Sequence, residues 1–234
     1  MIETEIIGLV AAGLAWSLAR RAHAAWQEAP RQRLGSRLAR SRRFSVRDFP
    51  EGACGHVVGV VGDLGEPLTA PLSGRACAAC TIHISRLERR GSARPLISLA
   101  DAVPFTVADD TETASVIGPE QIVALHRDHR ERVTWPFTAS ARVEALLAEH
   151  GHEVHGGASL RCAEGVLLPG DRVVIIGRGS RIADEEGGAV GGYRRSADRL
   201  VLASPPGDAL AIGHASPRRV STSRGRFPFF DWPE

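Results

Sequence analysis

Glu66-Pro67-Leu68-Thr69-Ala70-Pro71-Leu72-Ser73-Gly74-Arg75-Ala76-Cys77 sets two prolines, a Ser-Gly turn and a cysteine between two β-like runs. Pro67 and Pro71 fix their own φ and bias the residues before them toward extended geometry. Ser73-Gly74 supplies a turn, with glycine free to take positive φ. The stretch therefore reads as a stiff, sharply folded connector between them rather than a floppy loop.

Working outward, short apolar runs alternate with turn residues from about Gly52 onward. The spacing predicts strands at His56–Val61, Cys77–Ser85, Pro95–Leu99, Pro104–Ala108, Ala114–Ile117, Gln121–Leu125 and Arg132–Trp135. Further strands are expected at Leu160–Leu167, Arg172–Gly177, Arg199–Ala203 and Ala209–His214. One helix interrupts them over 139–150, where Val143, Leu146 and Leu147 share a face. Thr138 or Ser140 suits its start and Gly151 its end. The expected fold class is mainly β: a partly open β-barrel or sandwich with one short helix, preceded by an N-terminal transmembrane helix. Gly187-Gly188 and Gly191-Gly192 mark a hairpin tip.

The N-terminal segment runs uncharged from Ile6 to Ala19 and then meets Arg20-Arg21. As a helix that run spans roughly 21 Å, short of a hydrocarbon core of about 30 Å. Met1 to Glu5 bring it to the lower end of spanning length. Ile6, Ile7, Leu9, Val10, Leu14, Trp16 and Leu18 are the anchor residues on this reading, with Trp16 as the interfacial aromatic. The acidic start and the lack of a small-x-small site argue against a secretory signal. An amphipathic helix packed on a soluble domain is the competing reading. Arginines follow densely, and Arg20, Arg21, Arg31 and Arg33 suit anionic lipid headgroups. By the positive-inside rule they hold the rest of the chain in the cytoplasm. A solvated basic linker is the plainer alternative. RNA binding is the weaker rival, since no aromatics interleave with the arginines to stack bases.

The net charge of the 234 residues is only +2, and every basic residue is arginine. No lysine amine is available to accept an acyl or ubiquitin group. Cys54, Cys77, Cys80 and Cys162 form no dense disulfide framework, which suits a reducing compartment, with a Cys77–Cys80 or Cys54–Cys162 bridge as the alternative.

Several motifs together resemble the GIDE domain, also called the "beside a membrane" (BAM) domain. It is the non-RING part of mitochondrial-anchored ubiquitin ligases, with bacterial relatives. The likeness rests on Glu51-Gly52 before the run Gly55–Val61, on the proline connector, and on Pro104–Asp110. It rests also on Glu164–Gly177, where a Pro-Gly-Asp turn leads into an apolar strand, and it covers roughly Pro50 to His214. The resemblance implies a membrane-proximal domain. The chain departs from the family at Ala78 and Ala79, where aromatics are common, and in lacking a second transmembrane helix and a RING. A RING needs about eight zinc ligands, largely cysteine; this chain has four cysteines and none beyond Cys162.

Other candidates read plainly. Cys77-Ala78-Ala79-Cys80 opens a strand, where residues 77 and 80 face opposite ways, not a helix whose dipole would activate a thiol. His150, His152 and His155 are the candidates for a divalent metal, though a histidine at a helix C-terminus needs no ligand to be favourable. Asp109-Asp110-Thr111-Glu112 reads as an Asp/Thr-capped turn ahead of a cation site. No nucleophile elbow, phosphate loop or dinucleotide fingerprint occurs.

The expected organisation is a membrane-anchor helix (1–21), a basic juxtamembrane neck (22–50), a GIDE/BAM-like β domain (51–215) and a polar, aromatic tail (216–234). The expected function is a membrane-anchored, non-catalytic binding or scaffolding module without cofactor or metal. Pro67, Pro71, Ser73, Gly74 and Arg75 are its candidate partner-binding residues. Its expected partners are anionic lipid at the neck and an unidentified protein, with no nucleic acid. Its expected place is the bacterial inner membrane, crossed once, with the domain facing the cytoplasm. The alternatives are a protein related to E3 ubiquitin transferases and a soluble ligand-binding β-barrel.

Overall fold

Alternation is clearest in strand β1 (Cys54–Val61), where Gly55, Val57, Gly59 and Val61 are buried and their neighbours are not. The computed structural model describes residues 30–62, 64–88, 92–118, 121–183 and 198–215. The protein is mainly β, built on a closed five-stranded barrel. The N-terminal anchor, Arg20, Arg21, the 187–192 glycines and the tail lie outside the described residues.

After β1 come the two-residue strands β2 (Leu68–Thr69) and β3 (Ala76–Cys77), then β4 (Ala79–Leu87) and β5 (Ala93–Ala102). The chain continues through β6 (Phe105–Ala108), β7 (Thr113–Val116), β8 (Gln121–Ala124) and β9 (His129–Thr134). After a helix come β10 (Ser159–Leu167), β11 (Arg172–Ala183), β12 (Asp198–Ala203) and β13 (Leu210–His214). Each predicted strand is present, with ends shifted by a few residues.

The barrel follows the order β1-β6-β7-β12-β11 and closes because β1 also pairs with β11. All its pairings are antiparallel except β7 with β12. A parallel pairing of the third and fifth barrel strands, with the first closing on the fourth, is the connectivity of an OB-type barrel. The expectation of a partly open barrel or sandwich is corrected on this point. β1 pairs with β11 from Cys54 to Val60 and passes to β6 only at Val60 and Val61. Gly59 permits that close crossing: a Cβ there would meet the Ala108 carbonyl. Val57, Phe105, Val107, Val116, Val173, Ile175, Leu200 and Leu202 belong to one buried cluster that fills the barrel. β13 extends β11 antiparallel, and β8 lies parallel beside β13.

Two insertions build a second layer. One, β2 to β5, lies between the first and second barrel strands; the other, β8 to β10, lies between the third and fourth. Together they form the antiparallel sheet β5-β4-β10-β9. Helix α2 (Ala141–Glu149) covers one face of it, with Val143, Leu146 and Leu147 buried among Ile82, Ile84 and Leu160. Ser140 caps α2, its hydroxyl accepting from the Val143 amide, and His150 and Gly151 close its end.

Residues 30–50, expected as a neck, pack on the barrel. Helix α1 (residues 30–38) buries Leu34 among Ala124, Val174, Ile176 and Ala211. Val46 and Phe49 enter the barrel cluster, with Phe44 packed against it. Three strand glycines make the room: a Cβ at Gly55, Gly179 or Gly213 would strike Phe44, Phe49 or Leu34 respectively. Residues 30–50 thus belong to the folded unit together with the residues after Glu51. No helix among the described residues is long and apolar enough to cross a membrane.

Candidate functional site

The connector folds into a miniature hairpin. Leu68 pairs with Cys77 and Thr69 with Ala76, and the Ala70 amide donates to the Arg75 carbonyl. Gly74 closes the loop at φ +72°, a conformation costly for any other residue. A Cβ there would also run into the Arg142 guanidinium of α2.

The loop is held from below by Glu164, a fully buried carboxylate on β10. Its Oε1 accepts from the Leu72 amide at 2.7 Å and its Oε2 from the Ser73 amide at 3.1 Å. A buried charge persists only when paired or well hydrogen-bonded. Arg75 completes the arrangement. Its Nη2 lies 4.0 Å from Glu164 Oε2, its Nη1 donates to Asp128 Oδ2 at 2.7 Å, and its Nε donates to Ser73 Oγ at 3.0 Å. The Asp128 hydrogen bond, with the Asp128 and Glu164 charges behind it, raises the Arg75 pKa above its ordinary value despite burial. Arg142 Nη1 donates to the Leu72 carbonyl at 3.4 Å, tying the loop to α2.

Of the candidate partner-binding residues, Arg75 therefore faces inward as a brace. Pro67 is exposed, while Pro71, Ser73 and Gly74 are half-buried. Thr69, Ala70 and Pro71 form one wall of a cleft of about 200 Å³, with Arg142, Leu146 and Glu149 opposite. Drug-sized ligands occupy roughly 300–1,000 Å³, so this cleft suits a single projecting side chain. Glu164, Asp128 and Arg142 were missed as site residues from the sequence. The available signal was a lone glutamate in the apolar run Ala163–Leu167.

Cys77 and Cys80 lie beneath the hairpin in one buried cluster with Ala70 and Val166. The expectation that they face apart is corrected: the ladder breaks at Ala78, and the two thiols share a hydrogen bond. That bond lowers the Cys77 pKa; it raises the Cys80 pKa, and burial adds to the rise. Burial pushes the Cys162 thiol up to about 12.

The Pro-Gly-Asp turn is locked by Asp171, whose Oδ2 accepts from the Leu168 amide at 2.8 Å. His214 Nδ1 accepts from the His126 amide at 3.1 Å, and its Nε2 lies 3.5 Å from Asp171 Oδ2. Both ring nitrogens face fixed neighbours, which makes this a structural clasp between β13 and the turn. Asp109 is the expected turn cap. Its Oδ1 accepts from the Thr111 amide, the Thr111 hydroxyl and the Glu112 amide, and its Oδ2 accepts from the Val46 amide.

His150 and His155 are exposed and His152 half-buried. Among the described residues no group of three or more His, Cys, Asp or Glu side chains is placed to hold a metal. Of the headgroup candidates within the described residues, Arg33 is exposed, whereas Arg31 Nη2 donates to the Leu125 carbonyl at 2.9 Å. OB-type barrels bind polymers across their second and third strands; here that outer surface carries Thr106, Ala108, Thr113 and Ser115, with neither base nor aromatic.

No family model and no curated protein matches this chain.

Proposed function

We propose that this chain is a membrane-anchored, non-catalytic binding or scaffolding module with a GIDE/BAM-like domain. On this reading a bacterial inner-membrane protein crosses the bilayer once through residues 1–21, with the β domain in the cytoplasm. The surface Pro67–Gly74 and its cleft with α2 engage a protein partner, and Arg20, Arg21 and Arg33 engage anionic lipid.

One observation carries the binding role. Glu164 spends its buried carboxylate on two loop amides, so the proline hairpin is preformed before any partner arrives. A preformed loop avoids the ordering cost that weakens flexible binders, and loops on rigid β scaffolds commonly carry recognition. The packed barrel interior argues against the soluble ligand-binding barrel, because its lumen is occupied by the protein's own side chains.

Fractionation tests the anchor. The chain should pellet with membranes, and deletion of residues 1–21 should release it; a full chain that stays in the supernatant overturns the reading. Cross-linked pull-down from native membranes tests the surface. Pro71→Ala with Gly74→Val should lose a partner that the unaltered chain retains, and identical partner sets would reject the proposed surface. Stoichiometric, tightly held zinc would instead favour the ligase-related alternative.

A further inference from the structure

We propose that the far end of the β5-β4-β10-β9 sheet is a second membrane contact, a docking face for the phosphate headgroups of anionic phospholipid. It uses residues other than the anchor and the connector, and it extends the proposed function to the folded domain itself.

Arg86, Arg132 and Arg161 line one open groove of about 810 Å³. Arg161 sits directly opposite Arg132 in the β10–β9 register. Like charges in that position are destabilising unless something neutralises them. Four arginines elsewhere do meet carboxylates: Arg37 pairs with Asp208, Arg47 and Arg181 with Glu112, and Arg75 with Asp128. The groove arginines have no such carboxylate among the described residues. Its one acid, Glu88, lies beside Ser92, whose hydroxyl donates to Glu88 Oε2 at 3.3 Å. With three arginines against one carboxylate, the groove lining is net cationic, complementary to oxyanions of the phosphate type.

A second observation selects a lipid surface over a soluble phosphate compound. Phe137 is 82% exposed. It lies in the β9–α2 loop, which is fastened to the groove wall: the Trp135 amide donates to the Ala158 carbonyl and the Gly157 amide to the Trp135 carbonyl, both at 2.8 Å. Gly157 and Ala158 themselves line the groove. A soluble anion held in the groove has no use for an aromatic ring standing outside it. A bilayer does, because an aromatic at headgroup level buries its ring while nearby arginines meet the phosphates.

The test uses the full chain with Cys54→Ser and with Phe137→Cys carrying an environment-sensitive fluorophore. Cys54 is the exposed native cysteine and the other three are buried, so labelling is selective. Emission should shift to the blue on vesicles containing phosphatidylglycerol, and should not shift on phosphatidylcholine alone. Arg132→Glu with Arg161→Glu should abolish the shift while the chain still sediments with vesicles through its N-terminal segment. Arg161→Glu alone places opposite charges in register with Arg132, so it should fold normally and still weaken the shift. A label that stays water-like on sedimented protein overturns this face and leaves the anchor standing. Failure to sediment at all overturns both. Saturable, arginine-dependent binding of inositol hexakisphosphate without any vesicle response would assign the groove to a soluble phosphate ligand and reject the lipid.

Discussion

At the scale of single residues, Glu164 is the side chain on which the candidate surface depends. Removing one partner of a buried, hydrogen-bonded charge leaves groups that neither water nor protein satisfies. Glu164→Ala strands the Leu72 and Ser73 amides and is expected to cost about 3–5 kcal/mol; Glu164→Gln keeps one acceptor and is expected to cost about 1–3 kcal/mol. Urea midpoints give the totals, and hydrogen exchange should quicken first at Leu72 and Ser73. His56 carries a pH prediction. Burial, then the nearby Arg43 guanidinium, lowers its pKa from the ordinary value of 6.5. The unfolded chain therefore binds more protons between the folded pKa and 6.5, so stability falls as pH drops through that window. His56→Gln should flatten the decline in urea midpoint between pH 7.5 and 5.5, a range chosen to lie largely above carboxylate titration. The thiols make a third expectation. Cys54 should react quickly with Ellman's reagent, while Cys77, Cys80 and Cys162 should react only after unfolding. Four fast thiols in the native protein would contradict the buried cluster beneath the hairpin.

At the scale of elements, the residue 30–50 segment belongs to the fold. Leu34, Val46 and Phe49 are each at most 5% exposed, and burying such side chains contributes about 1.5–3 kcal/mol apiece. A chain beginning at Glu51 should lose stability comparable to that of a whole domain, about 5–15 kcal/mol, and should aggregate or unfold without a sharp transition. A chain beginning at residue 30 should unfold cooperatively, as followed by circular dichroism. The individual strands were legible because alternation and turn residues are local signals, as in Cys54–Val61 and the Gly170 turn. Helix α2 was legible for the same reason, through Val143, Leu146 and Leu147. The packing of residues 30–50 was not, because arginines dominate the local composition. The apolar residues that matter there are seated on Gly55, Gly179 and Gly213, far along the chain. The Glu164–connector clasp joins residues 92 positions apart, which no local pattern specifies. The partnership of Cys77 with Cys80 was hidden for a local reason: a one-residue break at Ala78 ends the alternation between them and puts both thiols in one buried cluster.

At the scale of the whole molecule, a packed OB-type barrel carries a second sheet by two insertions, and the chemistry lies on the inserted parts. The barrel supplies rigidity, the proline hairpin supplies a preformed loop, and the far end of the second sheet gathers Arg86, Arg132 and Arg161 on one groove. A module arranged this way would recognise by shape and charge. The central claim is that the hairpin held by Glu164 is the partner surface. Its most direct measurement is site-specific photo-cross-linking in native membranes, with the photoreactive residue placed either at Thr69 on the hairpin or at Ser115 on the barrel. The account predicts a discrete adduct from Thr69 that disappears in the Glu164→Ala background, and none from Ser115. Equal adducts from both positions, or a Thr69 adduct unchanged when Glu164 is removed, would contradict it.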